Sequence, residues 1–443
     1  MLWGWVIGAS LTILVGLSLA ELCSRYPSAG SVYHWSGQLA NEKYAPFASY
    51  ITGWWNFLGN VAGVASFASG FAQIVGAVVV LGSGNPLSVG NQVCISILIL
   101  AVWSVLNVMR VNQQGYINNF ATVFQILSCV VIVIALLASS NEHASAKFVF
   151  STFNSDIGIE NNGYVTLVGL LTTLFTFVGY EAGGHVAEET RGARTAAPKG
   201  IVATVVVGSI LGLFYVLGLL FATPGIDEVV NGDSDSEIVN LFSIVCGTKG
   251  GLALTSLIII NLFFAGMSSL TITTRITYSM ARDGAFPGSD YLYHVSPATR
   301  SPMRTVLFIY VAVAILLLLP LVNETAFGAI VSLCTVGFQV SYAIPIYLRV
   351  TVARNSFKQG NFSLGRWSIL IGWLSAIWLT FTSILFFWPL EFPVTSDSMN
   401  WTVVVVAGVM IICMLYWVIS ARHWFVGPKR RGKEGEEMTV TLP

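Results

Sequence analysis

The chain has 443 residues, of which 55% are hydrophobic and only 9% charged, and its formal net charge is zero. Soluble domains carry about 45–50% apolar and about 25% charged residues, so the composition excludes an ordinary soluble globular protein. A balanced charge also removes the electrostatic case for nucleic acid as a partner, and leaves the lipid bilayer as the expected surroundings.

Eleven apolar runs approach the roughly 20 residues that a hydrocarbon layer about 30 Å thick demands. In chain order they fall near 2–23, 48–80, 92–109, 115–139, 164–186, 201–222, 251–280, 303–322, 326–348, 367–390 and 402–424, giving one all-α, polytopic transmembrane domain over 1–425 and a tail over 426–443. No charged residue lies between Lys43 and Arg110, but Gly82-Ser83-Gly84-Asn85-Pro86 reads as a turn, so that stretch is two spans. The cysteines lie mostly within apolar runs and show no metal-ligand or redox spacing.

Lysine and arginine set the expected orientation. Of the 21 basic residues only Lys147 and Lys249 fall on one side, and the rest line alternate loops and the tail. By the positive-inside rule the carboxyl tail is cytoplasmic. An odd number of spans with an inside tail requires an outside start. Met1, however, opens directly into Leu2-Trp3-Gly4-Trp5 without a basic leader, so a span upstream of this sequence is expected.

The fifth run contains the stretch around which the others are organised, Phe175 to Glu189. It begins as a membrane helix, then loses helical character at Gly179, Gly183 and Gly184, each costing about 1 kcal/mol of helix propensity relative to Ala. Beside them sits Glu181, an ionisable group at membrane depth. A broken helix there survives only where protein or a wet cavity satisfies the freed backbone, which marks a candidate binding site. The bland alternative is close packing through small residues. Glu181 has two readings, a proton or cation partner on the pathway and a clamp that accepts hydrogen bonds near the break.

Four motifs carry a resemblance: Ala20-Glu21-Leu22-Cys23-Ser24-Arg25-Tyr26-Pro27-Ser28-Ala29-Gly30-Ser31-Val32-Tyr33-His34-Trp35, the broken span with its sequel Glu188-Glu189-Thr190-Arg191 and then Ala197-Pro198-Lys199-Gly200-Ile201, Tyr278 to Pro287, and Ser301-Pro302. With these the chain resembles the amino acid–polyamine–organocation (APC) transporter superfamily over nearly all of residues 3–425, and most of all its amino acid/choline branch with GABA and choline permeases. The resemblance implies two five-helix inverted repeats, the LeuT-like fold, followed by two C-terminal helices. It implies a secondary active transporter that moves a small amino acid, GABA or a choline-like amine by alternating access, with no enzymatic activity and no cofactor. The setting it favours is the plasma membrane over an organelle. The first span here corresponds to the family's second and the fifth to its broken sixth, so the family's first, glycine-broken helix has no counterpart. The alternative reading is therefore a nutrient sensor or pseudo-permease with an incomplete site. Some relatives place a proton-coupling lysine in the helix matching 115–139; here that helix offers Asn118, Asn119 and Gln125 and no lysine, which leaves protons as a partner of unspecified route.

The expected substrate site is Phe177, Gly179, Tyr180, Glu181, Ala182, Gly183 and Gly184, completed from the second span by Asn56 and Asn60, which share a helix face. Asn261, Ser268 and Ser269 read as links between spans. His185 with Glu188 and Glu189 is a poor metal signal without a second histidine nearby, and both carboxylates read better as partners of arginines.

Overall fold

A computed structural model describes residues 2–109, 111–153, 161–232, 234–297, 299, 301–322, 324–389, 393–395 and 399–428. Helix dominates, and no strand occurs among the described residues. The elements are α1 (Leu2–Arg25), α2 (Ser31–Leu39), α3 (Ala45–Ser83), α4 (Val89–Asn107), α5 (Val111–Ser139), α6 (Ala146–Ser151), α7 (Asn162–Thr176), α8 (Ala182–His185), α9 (Ala193–Ala222), α10 (Ile226–Val230), α11 (Glu237–Arg282), α12 (Ser289–Leu292), α13 (Met303–Leu317), α14 (Glu324–Val350), α15 (Ser368–Leu385) and α16 (Thr402–Ile419).

Among the described residues ten helices are long and apolar enough to cross a membrane, and the protein is an integral, multi-pass membrane protein. The turn expected between the second and third runs is present: α3 stops at Gly84, whose φ of 72° closes its last turn, and α4 starts where Ser88 Oγ accepts the Asn91 N–H. The fifth run, expected near 164–186, is the exception. Asn161 caps α7 through Gly163 and Tyr164, and the helix ends after 15 residues at Thr176. At 1.5 Å per residue it is about 22 Å long, short of the hydrocarbon thickness, so its end lies inside the depth that neighbouring helices cross.

The spans differ in burial. Within the apolar stretch of α14, 78% of residues are buried, against 17% for the stretch that includes α16, so α14 is central and α16 peripheral. The long helix α3 packs against α14 and α11 and also touches α2, α4 and α13, while α1 lies against α9, α15 and α7. Where α3 crosses α14 the backbones meet: a Cβ on Gly59 would sit 3.0 Å from the Phe338 nitrogen, and one on Gly337 would sit 2.8 Å from the Gly59 Cα. Without a hydrophobic drive between helices in lipid, such small-residue crossings supply the van der Waals contact that holds them. This crossing faces Asn56 of α3 towards Ser341 of α14, with Asn56 Nδ2 3.2 Å from Ser341 Oγ.

Links between other spans are polar, as expected for Asn261 and Ser268. Asn261 donates to Ser128 at 2.7 Å and Ser268 to Asn118 at 2.9 Å, joining α11 to α5.

Candidate functional site

Beyond Thr176 the chain leaves helical geometry. Phe177 has φ −100° and ψ 68°, Gly179 has φ +74°, and one short turn, α8, follows. A positive φ of this size costs an L-residue roughly 1–2 kcal/mol, which explains glycine at 179, and no atom lies within 4 Å of where its Cβ would stand. Between Thr176 and Ala182, the N–H groups of Val178, Tyr180 and Glu181 donate to no described residue, whereas the Gly179 N–H donates to Tyr342 Oη at 3.0 Å. The helix beyond the break, α8, is only four residues long, so it presents no helix N-terminus of consequence.

Glu181 is fully buried. Its Oε1 accepts from Asn56 Nδ2 at 3.1 Å and its Oε2 accepts from the Tyr342 hydroxyl. Tyr342 thus acts twice, as acceptor for the backbone at Gly179 and as donor to the carboxylate. Asn60 stands one turn behind: its Nδ2 donates to the Asn56 carbonyl at 2.9 Å and to Asn56 Oδ1 at 3.1 Å, fixing the Asn56 amide with its NH₂ towards Glu181. His185 Nε2 lies 3.5 Å from Glu181 Oε1, and its Nδ1 lies 2.8 Å from the Ala29 carbonyl.

The structure divides the residues named from sequence. Glu181 and Asn56 touch, Asn60 touches Asn56, and Gly179 is joined to Glu181 through Tyr342. Tyr180 packs its ring 5.0 Å from that of Tyr342. Phe177 is placed elsewhere, its ring 5.0 Å from Trp5 of α1 in an apolar cluster with Leu2 and Val216. Gly183 and Gly184 close on protein: added Cβ atoms would meet the Ala197 carbonyl at 3.0 Å and Ser31 Oγ at 2.8 Å. These two serve close packing against α9 and α2, the bland reading of the cluster, while Gly179 alone makes the turn. Ala182 returns its N–H to the Gly179 carbonyl at 3.1 Å.

Sequence reasoning missed Tyr342 and Ser341. The signal was present as a polar run, Gln339, Ser341 and Tyr342, inside an apolar span. His185 was weighed only as a metal ligand. Among the described residues no cluster of three such ligands exists, and Glu188 and Glu189 turn to arginines instead. Arg275 holds Glu189 through Nη2 at 2.7 Å and Nε at 3.1 Å; Arg282 Nη1 lies 3.4 Å from Glu188. Glu188 also accepts the Ala29 N–H at 3.0 Å and the Ser28 hydroxyl at 3.2 Å. Two of the sequence motifs, the one around Ser28 and the one around Glu188, therefore lie against each other.

A broken helix clamped between two full-length spans is a candidate site for a small ligand, and the comparison with known proteins shows the family. The amino acid permease family matches residues 1–411. The chain belongs to that family. Amino-acid permease BAT1 of Arabidopsis thaliana is 36% identical over 444 residues, covering 97% of this chain and 86% of that protein. Its homologue in Oryza sativa subsp. japonica is 35% identical, with 97% of this chain and 85% of that protein covered. An uncharacterised amino-acid permease of Schizosaccharomyces pombe is 31% identical over 439 residues, with 97% and 80% covered. The permease is thus a transporter of amino acids and not an enzyme.

Proposed function

We propose that the permease carries a small amino acid, GABA or a choline-like amine by alternating access, and that it holds the substrate at the break between Thr176 and Ala182. The observation that carries this reading is the set of free N–H groups at Val178, Tyr180 and Glu181, next to a helix end, in a segment at membrane depth. Unpaired N–H groups suit a carboxylate, and the carbonyl end of α7, negative by its dipole, suits an ammonium. A zwitterion satisfies both sets together. Choline lacks the carboxylate and satisfies only the second, so among these ligands the geometry favours amino acids.

In this reading Glu181 holds the break from behind, because Asn56 and Tyr342 occupy its oxygens. The basic loops and the tail lie on the cytoplasmic side, where Glu188 and Glu189 meet their arginines. The test compares uptake and binding of a small neutral amino acid, GABA and choline by the purified chain in proteoliposomes, wild type against Gly179→Ala. The expected result is saturable uptake, best for the amino acids, with a raised half-saturating concentration in the variant, whose Cβ strains the turn without filling the space. Binding without uptake would favour a sensor. Equal affinity in both proteins would place the substrate elsewhere.

A further inference from the structure

His185 is the buried titratable group that the substrate reading leaves unused. Its Nδ1 is 2.8 Å from the Ala29 carbonyl oxygen, which can only accept, so Nδ1 carries a proton. In neutral imidazole the other nitrogen is then bare. That nitrogen, Nε2, is buried, has no hydrogen-bond partner, and points at Glu181 Oε1 from 3.5 Å with both side chains fully excluded from solvent. A bare Nε2 facing an ionised carboxylate would set two lone pairs against each other in a dry site. One proton between them removes the conflict, either as imidazolium against carboxylate or as imidazole against carboxylic acid, and both forms have the same total charge.

We infer that His185 and Glu181 together hold a single proton, and that this pair is the protonation site of the permease, controlling whether the broken segment stays shut. The inference rests on the reading of the break as the substrate site only for its effect on transport. The proton itself is required by the geometry of the pair.

Among the described residues the surroundings supply no other counter-charge. From α14 the pair faces Tyr342 and Cys334, and from the break Tyr180. From α3 it faces the neutral amide of Asn56, from the turn before α2 the Ala29 carbonyl, and Gly184 beside it packs on Ser31 and Trp35 of α2. Glu188 and Glu189 follow in the chain but are held by Arg282 and Arg275. When the pair gives its proton to a water, one negative charge remains with only Asn56 and Tyr342 as donors. A buried charge so placed drives the segment to open to water or to take up a cationic group. The sign follows: with the proton the pair is neutral and the segment shut, and without it the segment is charged and released.

The experiment uses the full chain with ring-¹⁵N histidine in lipid nanodiscs, over about pH 5 to 8 where histidine titrates. Subtracting the spectrum of His185→Gln isolates His185. The expected spectrum has Nδ1 protonated throughout and Nε2 sharing or carrying a proton at the acid end, lost as pH rises; in Glu181→Gln the ring stays neutral across the window. In proteoliposomes the wild type should change its uptake severalfold over the same window, whereas His185→Gln, Glu181→Gln and the double variant should share one flat profile. A bare, unbonded Nε2 in the wild type at every pH, or a His185→Gln uptake profile superimposed on the wild type, would overturn the pair. If the variants fail to fold, the ring shifts of the wild type, assigned by their through-space contact to Ala29, decide alone. Because the spectra require no substrate, they stand whether or not substrate binds at the break, and a failed substrate reading is told apart from a failed proton pair.

Discussion

Two ends of one short segment treat carboxylates in opposite ways. At its inner end Glu181 is wholly buried and is met by an amide, a phenol and an imidazole. At the other end Glu188 and Glu189, with side chains 43% and 37% exposed, are met by arginines. The difference is one of solvation. A guanidinium brought to Glu181 would itself have to be stripped of water, and in a dry interior that cost rivals the attraction gained. Neutral donors give a carboxylate hydrogen bonds without a second charge to desolvate. Near the surface the penalty is small and an arginine pair is tolerated, though it contributes only about 0–1 kcal/mol. The buried end is therefore where the fold stakes its stability and the exposed end where it is tolerant.

Substitutions at each end test that contrast. The largest effect is expected from Tyr342→Phe, which removes a donor to the carboxylate, worth about 1.5–3 kcal/mol, and orphans the Gly179 N–H, worth about 1–3 kcal/mol. The thermal midpoint of the purified permease at a fixed scan rate should fall sharply and its uptake should be lost. A midpoint within a degree or two of wild type would mean that the buried clamp is not what holds the break. Next in size is Gly184→Val, whose side chain would run into Ser31 and Trp35 and cost about 1–3 kcal/mol by overpacking. Its expected signature is reduced folded yield with unchanged substrate preference, since Gly184 faces α2; a shift in preference with normal yield would return it to the substrate surface. The smallest effect belongs to Glu189→Gln at the exposed end, under about 1 kcal/mol and diminishing further with added salt. A loss comparable with that of Tyr342→Phe would erase the distinction between the two ends.

Much of this site was legible beforehand. Glycines beside a lone carboxylate in an apolar run signal a broken span because helix propensity and bilayer solvation both object to them there, and α7 does stop at Thr176. Asn56 and Asn60 were recognisable as polar groups one turn apart on one face. The sorting of the glycines was not recognisable: Gly179 takes a left-handed turn, while Gly183 and Gly184 make room for Ala197 and Ser31, and nothing in their spacing distinguishes these duties. Phe177 has the same lesson, since Gly179, two residues on, meets the clamp at Tyr342 while the Phe177 ring faces Trp5.

The amino-acid sequence by itself determined which runs are apolar enough to cross a membrane, that one of them breaks, and that the charge at the break must be compensated. Only the tertiary structure decided by what. Tyr342 reaches Glu181 from 161 residues away and Asn56 from 125, across the backbone contact of Gly59 with Gly337. In a soluble helix an apolar stripe announces which face turns inward. In a membrane helix the lipid side and the protein side are both apolar, so periodicity does not show the facing, and the partners of a buried charge emerge only when the helices are packed.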